Sequence, residues 1–323
     1  MRMRSLALAS VAVLLAVPGG MAVADGHVGT FVDFDPAAGE FPEGVAVDQT
    51  GNVYLSLTPR DEIRRIDPDG TQRTLTVFDP GTGPAGLAIG PSGVVYAAAG
   101  GLDLATGETN PALRGVYRVE RNGVAERLPG TEGMLLPNDV TLDAHGNVYA
   151  TDTLAGAVWR ITPRGVAELW MEHPLLEGTG SAGFGFPLGA NGIAYHRNRV
   201  VVANTERGLL VEIPVEVDGR PGEPTVLVES PALFTADGIA VDVRGDVYVG
   251  IGFANMVVRV GANGDVAIVA DADDGLNQPS TLAFGSGRSD NQTLFVANFS
   301  LFAADPTPGV LTVPVGVPGW PVP

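Results

Sequence analysis

The chain has no cysteine and no lysine among its 323 residues. Without cysteine no disulfide can form, so the core alone has to stabilise the folded state. Without lysine, Schiff-base catalysis and phosphate binding by a P-loop are excluded. The sequence therefore rules out two large groups of enzymes before any motif is considered.

Histidine and positive charge are also scarce. The four histidines are scattered, and no Gly-x-Ser-x-Gly motif accompanies them, so the sequence does not predict hydrolysis by a serine nucleophile. The net charge of −18 argues against nucleic acid or an anionic membrane as a partner, because both would be repelled. The same charge attracts cations. We expect a small-molecule substrate and a monomeric protein.

One apolar run stands out, at the beginning of the chain. Arg2 and Arg4 precede the run 6–17, and small residues up to Ala24 follow it. This pattern is typical of a secretory signal peptide, and it predicts that residues 1–24 are removed and that the product is secreted, extracellular or periplasmic. The alternative is a membrane anchor, but the run is shorter than the roughly 20 residues that a membrane helix needs.

Residues 25–323 contain a repeat and no helical periodicity. Six copies of an apolar strand, a tight turn and a second strand begin at residues 44, 86, 139, 192, 238 and 281. Alternating third and fourth strands follow most copies, about every 45 residues, which is typical of propeller blades. The sequence predicts an all-β fold with one domain, a six-bladed β-propeller.

The ends of the repeat array predict how the ring closes. The sixth copy has no fourth strand, whereas residues 28–34 form a strand without a partner in the first copy. We expect the N-terminal strand to fill the vacancy and to close the ring, which would leave no long free edge. The Pro-rich segment 317–323 is expected to lie on the surface as a tail.

The residue before each inner strand lines one mouth of the central channel in such a ring. Four of these residues carry oxygen: Glu43, Asn138, Asn191 and Asp237. Two carboxylates balance the charge of a divalent ion, and oxygen ligands suit Ca²⁺ best, with Mg²⁺, Mn²⁺ and Zn²⁺ as alternatives. Asp237, with its short ionised side chain, is the candidate general base. The alternative is a polar, water-filled channel without a metal.

Three further polar residues end the second strands on the same face, namely Asp152, Asn204 and Asn298. They are candidates for substrate binding, and the alternative is that they cap the loops that follow them. The long glycine-rich segment 172–190 reaches the same face. It is either a lid or an ordinary loop.

The motifs Pro-Glu-Gly at 42–44, Pro-Asn-Asp at 137–139, Asn-Gly at 191–192 and Asp-Gly at 237–238 resemble the senescence-marker-protein/gluconolactonase family, which includes luciferin-regenerating enzyme. The resemblance implies a six-bladed propeller with a central divalent ion held by Glu43, Asn191 and Asp237. It also implies that Asn138 completes the coordination or contacts the substrate, and that Asp237 acts as the base.

The function implied by this resemblance is hydrolysis of a lactone or a related ester. The chain departs from the sugar lactonases of the family at Leu136, where those members carry an arginine, so the substrate stays open. The repeats also resemble NHL repeats, which implies the alternative of a non-catalytic propeller that binds a ligand or protein around a structural metal. A third possibility is a lyase of the strictosidine-synthase type.

Overall fold

The structure is a computed structural model that describes residues 27–104, 106–287 and 289–321. The predicted signal peptide lies outside the described residues. Within them the chain forms 24 β-strands and seven single turns of 3-10 helix. No helix in this part of the chain is long and apolar enough to cross a membrane.

The strands form six blades of four strands. Blade 1 contains β2 (Pro42–Val47), β3 (Val53–Leu57), β4 (Glu62–Ile66) and β5 (Gln72–Val77). Blade 2 contains β6 (Pro84–Ile89), β7 (Val95–Ala99), β8 (Gly115–Val119) and β9 (Ala125–Arg127). Blade 3 contains β10 (Pro137–Leu142), β11 (Val148–Asp152), β12 (Ala157–Ile161) and β13 (Ala167–Glu172).

The second half of the ring repeats this order. Blade 4 contains β14 (Ala190–His196), β15 (Arg199–Asn204), β16 (Leu209–Pro214) and β17 (Thr225–Glu229). Blade 5 contains β18 (Ala236–Val241), β19 (Val247–Ile251), β20 (Met256–Val260) and β21 (Val266–Ala270). Blade 6 contains β22 (Pro279–Phe284), β23 (Thr293–Asn298), β24 (Gly309–Pro314) and, from the other end of the chain, β1 (Gly29–Asp33).

The blades form a ring around the six inner strands β2, β6, β10, β14, β18 and β22. Each inner strand contacts the next, and β22 contacts β2. All pairs within the blades are antiparallel, and β1 is hydrogen-bonded to β24 with Gly29 opposite Thr312 and Asp33 opposite Gly309. The all-β, six-bladed propeller predicted from the sequence is confirmed.

The core is divided among the interfaces between blades. Six clusters of buried apolar side chains lie one at each interface. Between blades 4 and 5, for example, Val201 and Leu210 pack with Val249 and Val258. Burying these faces is the main force that holds neighbouring blades together, since no disulfide contributes.

Glycine in the signature is explained by the close approach of neighbouring inner strands. A Cβ atom on Gly44 would lie 2.3 Å from the carbonyl oxygen of Ala85, and one on Gly192 would lie 2.2 Å from that of Asp237. No side chain fits at such a distance. The repeated glycines therefore allow the polar residues before them to gather near the axis.

The C-terminal segment is more closely attached than a surface tail. The N–H of Trp320 donates to the carbonyl oxygen of Val241 at 2.8 Å, and the N–H of Val243 donates to Pro318. The Trp320 ring lies 4.5 Å from the ring of His196 and lines the central cavity of about 120 Å³. The segment thus covers the end of the channel opposite the polar mouth.

Candidate metal centre

A bulge at the start of every inner strand positions the predicted ligands. In each blade the register with the second strand shifts between the first and the fourth residue, for example between Pro42 and Val45 or between Ala236 and Ile239. The same shift occurs in all six inner strands. Bulges bend a strand and redirect side chains, so Glu43 and Asp237 occupy equivalent places in their blades.

Two predicted ligands are buried with an oxygen atom that has no hydrogen-bond partner. Glu43 is 8% exposed and Asn191 is 7% exposed. Within the described part of the chain, neither Oε2 of Glu43 nor Oδ1 of Asn191 has a partner. Leaving such atoms buried and unpaired costs free energy. These are the donor atoms that a metal ion would satisfy.

The predicted ligands Asn191, Asp237 and Asn138 differ in their surroundings. The Asn191 amide nitrogen donates to Oγ1 of Thr205 at 2.9 Å, which fixes the orientation of its oxygen, and Asn191 also hydrogen-bonds to Asp237. Asn138 is half-buried. The structure thus brings Glu43, Asn191 and Asp237 together, because the charge of Asp237 acts on Glu43 and Asn191 bonds Asp237. Asn138 occupies the equivalent place at the bulge of β10.

Asp139 also belongs to this group, although the sequence analysis did not select it as a site residue. Its Oδ1 accepts from the N–H of Val140 at 2.8 Å, and its Oδ2 accepts from the N–H of Ile193 in the next blade at 3.1 Å. The side chain occupies the space beside Gly86, where a Cβ would lie 2.0 Å from Oδ1. The signal in the sequence was the replacement of the signature glycine by Asp in the third copy.

The surroundings of the three carboxyl groups disfavour their charged forms and raise their pKa values. Burial, with the nearby carboxylates of Asp237 and Asp139, raises the pKa of Glu43 well above its usual range. Burial raises the pKa of Asp237 to about 7, against an opposing hydrogen bond from Asn191. Burial also raises the pKa of Asp139 to about 7, although two backbone N–H groups lower it in part. A nearby cation would favour the charged forms of all three groups.

The chemistry of these donors fits a hard divalent ion. Among the described residues, no three His, Cys, Asp or Glu side chains are grouped so that they alone hold a metal. The predicted set is different in kind, because Asn191 and Asn138 supply neutral amide oxygens beside two carboxylates. Asp139 is held by the backbone, since each of its two carboxylate oxygens accepts an N–H group. The unpaired oxygens of Glu43 and Asn191 are the observation that supports a metal here.

Each of the three residues predicted to bind substrate is hydrogen-bonded to a neighbouring loop, as in the alternative stated for the sequence. Both carboxylate oxygens of Asp152 accept N–H groups of the loop before β10, from Leu135 at 2.7 Å and Leu136 at 2.9 Å. The amide of Asn204 donates to the carbonyls of residues 175 and 177. Asn298 bonds both neighbouring loop residues 275 and 277. Exposures of 0–2% leave little of these side chains for a ligand.

The channel below the site is narrow and mainly apolar. Its cavity of about 120 Å³ is lined by Val, Leu, Ile and Ala side chains of the inner strands, with Asp139 at the polar mouth and Trp320 at the other end. A water-filled polar channel, the alternative considered for the sequence, would require polar walls. The buried carboxyl and carboxamide groups lie at one mouth, so a ligand would reach them from that face.

The raised pKa of Asp237 predicts how the stability of the metal-free protein depends on pH. Its folded-state pKa of about 7 exceeds the ordinary 3.8, so the contribution is fully present below about pH 4 and is lost as pH rises through about 7. Relative to Asp237→Asn, the wild type should lose up to roughly 4 kcal/mol of unfolding free energy over that range. Urea unfolding in chelator from pH 4 to 8 measures the difference. A difference in unfolding free energy between the two proteins that stays constant with pH would contradict the raised pKa of Asp237 in the folded state.

Comparisons of the sequence with family models and with curated proteins give no match. Solved structures do share the fold. A structural-genomics target assigned as a gluconolactonase is 18% identical, with 92% of this chain and 95% of that chain covered and a TM-score of 0.69. A gluconolactonase from Xanthomonas campestris is 17% identical, with coverage of 93% and 98% and a TM-score of 0.64.

A third similar structure is a calcium-binding protein, regucalcin, from Agrobacterium tumefaciens, at 15% identity, 88% and 93% coverage and a TM-score of 0.62. These structures match the senescence-marker-protein/gluconolactonase family that the sequence motifs resemble. At such identities the likeness shows the fold, and a virginiamycin B lyase is also among the similar structures, with a TM-score of 0.57. The activity has to be argued from the site.

Proposed function

We propose that the protein is an exported, divalent-metal-dependent hydrolase of lactone or related ester bonds. The single observation that carries the proposal is the pair of buried, unpaired oxygens on Glu43 and Asn191, next to a carboxyl group with a pKa of about 7 on Asp237. The gluconolactonases and the calcium-binding regucalcin that share the fold support this choice of chemistry.

Each side chain has a separate role in this proposal. Glu43, Asn191 and Asp237 hold the ion, Ca²⁺ in the first place, with Asn138 at the edge of the set. Such an ion would supply a Lewis acid that polarises the carbonyl of the substrate. Asn138 positions the carbonyl oxygen by a hydrogen bond from its amide. Thr205 accepts a hydrogen bond from the amide nitrogen of Asn191. This contact orients the amide group and leaves its oxygen free for the ion.

Asp237 is the better candidate base of the two aspartates with a raised pKa. Burial raises the pKa of Asp237 to about 7 in the metal-free protein. A bound cation would lower this pKa and keep the carboxylate ionised, which is the form that accepts a proton from water. Asp139 has a similar pKa, but both of its oxygens accept backbone N–H groups, and moving it would break contacts between blades 3 and 4. Asp139 therefore shapes the site, and Asp237 accepts the proton.

One divalent ion should bind per chain and stabilise the fold. Only the closed ring assembles the ligands, so metal at a hundredfold excess over Kd should add about 2.7 kcal/mol to the unfolding free energy. Elemental analysis and melting curves with Ca²⁺ or chelator measure both effects. Glu43→Gln should need more metal for the same gain, and Asp218→Asn, which changes an exposed carboxylate, should behave as wild type. Absence of metal with an unchanged melting temperature would contradict the assignment.

Turnover by the metal-loaded protein tests the proposed reaction. The panel consists of lactones, carboxylic esters and phosphotriesters, each measured with metal and with chelator. We expect hydrolysis in at least one class that is lost in chelator and returns with metal. A protein that binds metal but hydrolyses none of them would instead be a binding propeller with a structural ion.

A further inference from the structure

The long loop between β13 and β14 is fixed at its base. The side chain of Leu176 is fully buried in the core between blades 3 and 4. The carboxylate of Glu206, itself only 6% exposed, accepts the N–H groups of Thr179, Gly180 and Ala182. A buried acid that accepts three N–H groups within residues 179–182 restrains the loop, because displacing it would leave the charge unpaired. The part beyond residue 182 starts from this fixed point.

The tip of the loop crosses from blade 4 toward blades 5 and 6. The ring of Phe184 lies 5.7 Å from the ring of Phe253 and 6.4 Å from that of Phe302. Phe186 lies 6.4 Å from Phe184 in the same loop. These four phenylalanines are named here the aromatic lid. Its members come from the loop between blades 3 and 4, from blade 5 and from blade 6, so they do not belong to a single interface between two blades.

The strand register places the aromatic lid on the face that carries the candidate metal centre. Phe253 follows Ile251, which pairs with Ala236, the residue before Asp237. The N–H of Phe302 donates to the side chain of Gln278 at 2.9 Å, and Gln278 precedes the inner strand of blade 6. The lid and the polar mouth are therefore neighbours at one end of the channel.

The lid leaves apolar surface in contact with water. Phe186 is 41% exposed, Phe253 42% and Phe302 50%. Aromatic side chains carry large apolar areas, and their exposure together, beside polar groups, is typical of a ligand site. The net charge of −18 disfavours an anionic ligand. A neutral molecule with a polar carbonyl end and an apolar end matches both neighbouring surfaces.

We propose that the aromatic lid binds the apolar chain of a neutral lactone or ester while its carbonyl reaches the axial site. This inference rests on the proposed function and names the substrate class, a lipophilic one and not a polyol lactone. Every methylene that the lid removes from water should raise kcat/KM by about two- to fourfold, the size expected for burying one such group.

The test compares γ-lactones of increasing side-chain length, from γ-butyrolactone to γ-dodecalactone. In the wild type kcat/KM should rise with length. In the double variant Phe253→Ala/Phe302→Ala the ratio of kcat/KM for the longest lactone to that for γ-butyrolactone should fall at least tenfold. Val217→Ala is the matched control, since it also removes an exposed apolar side chain, in the turn between β16 and β17, and should change neither rate.

The outcomes separate the two proposals. Hydrolysis of γ-butyrolactone with no dependence on chain length or on the lid variant would overturn the inference and leave the proposed function intact. If neither the lactones nor the esters of the panel are hydrolysed, the proposed reaction fails, and calorimetry with the non-hydrolysable γ-dodecalactam decides the inference alone. Binding by the wild type that the double variant loses supports the lid, and no binding overturns it. A wild-type dimer that the double variant converts to a monomer would also overturn it, because the lid would be a subunit interface.

Discussion

Asp237→Asn is expected to lower turnover by about 10² to 10⁴ at saturating metal, the usual contribution of a positioned general base. The substitution keeps the shape of the side chain and one ligating oxygen, but it removes the negative charge and the basicity. Burial raises the pKa of the Asp237 carboxyl group to about 7 in the metal-free protein. The variant has no such carboxyl group to accept a proton. Steady-state kinetics over a metal titration separate the loss of affinity from the loss of turnover.

Glu43→Gln is the matched comparison for this variant. It removes the other buried carboxylate of the proposed ligand set and leaves the proposed base in place. Its activity should fall at low metal and should recover largely when metal is added. Equal losses in the two variants, both fully restored by metal, would show that Asp237 is a ligand only.

Removing residues 25–35 is expected to cause aggregation or a fall in melting temperature on the order of 10 °C. The deletion removes β1, whose backbone is hydrogen-bonded to β24, and with it Phe31, which packs 5.2 Å from Phe295. It also removes Phe34, which is buried between blades 6 and 1. The exposed edge would offer unpaired N–H and C=O groups to other chains.

A shorter deletion of residues 25–27 is the control, since it ends before Gly29, the first residue of β1. Differential scanning calorimetry of both proteins measures the effect. If the chain without residues 25–35 melts with the control, then β1 does not contribute to closing the ring.

The fold was predictable because one strand pair recurs six times. The alternating pattern of Gly238–Asp242 recurs in the other copies, and the structure has inner strands at all six places. A period of this kind reports local strand formation and the number of blades. It also put Glu43, Asn191 and Asp237 in equivalent positions, because a residue at the start of a repeat keeps its place in every blade.

The rest depended on contacts between blades that no local pattern encodes. Asp139 fits only because Gly86 of the neighbouring blade leaves room for its carboxylate. The role of Asp152 follows from the two hydrogen bonds that it accepts from loop N–H groups. Trp320, near the C-terminal end of the chain, packs against His196 of blade 4. Each of these contacts joins residues that are distant in sequence or lie in loops, where chain direction cannot be inferred from the hydrophobic pattern.

The most direct test of the account is turnover measured against bound metal in one sample. Metal-free protein is titrated with Ca²⁺ while metal content, by elemental analysis, and lactone hydrolysis are followed together. The account predicts that hydrolysis rises in proportion to bound ion and reaches its maximum at one ion per chain. Two results would contradict a catalytic metal centre at the axis of the propeller. One is a hydrolysis rate that is already maximal before any ion binds, and the other is one bound ion per chain with no hydrolysis.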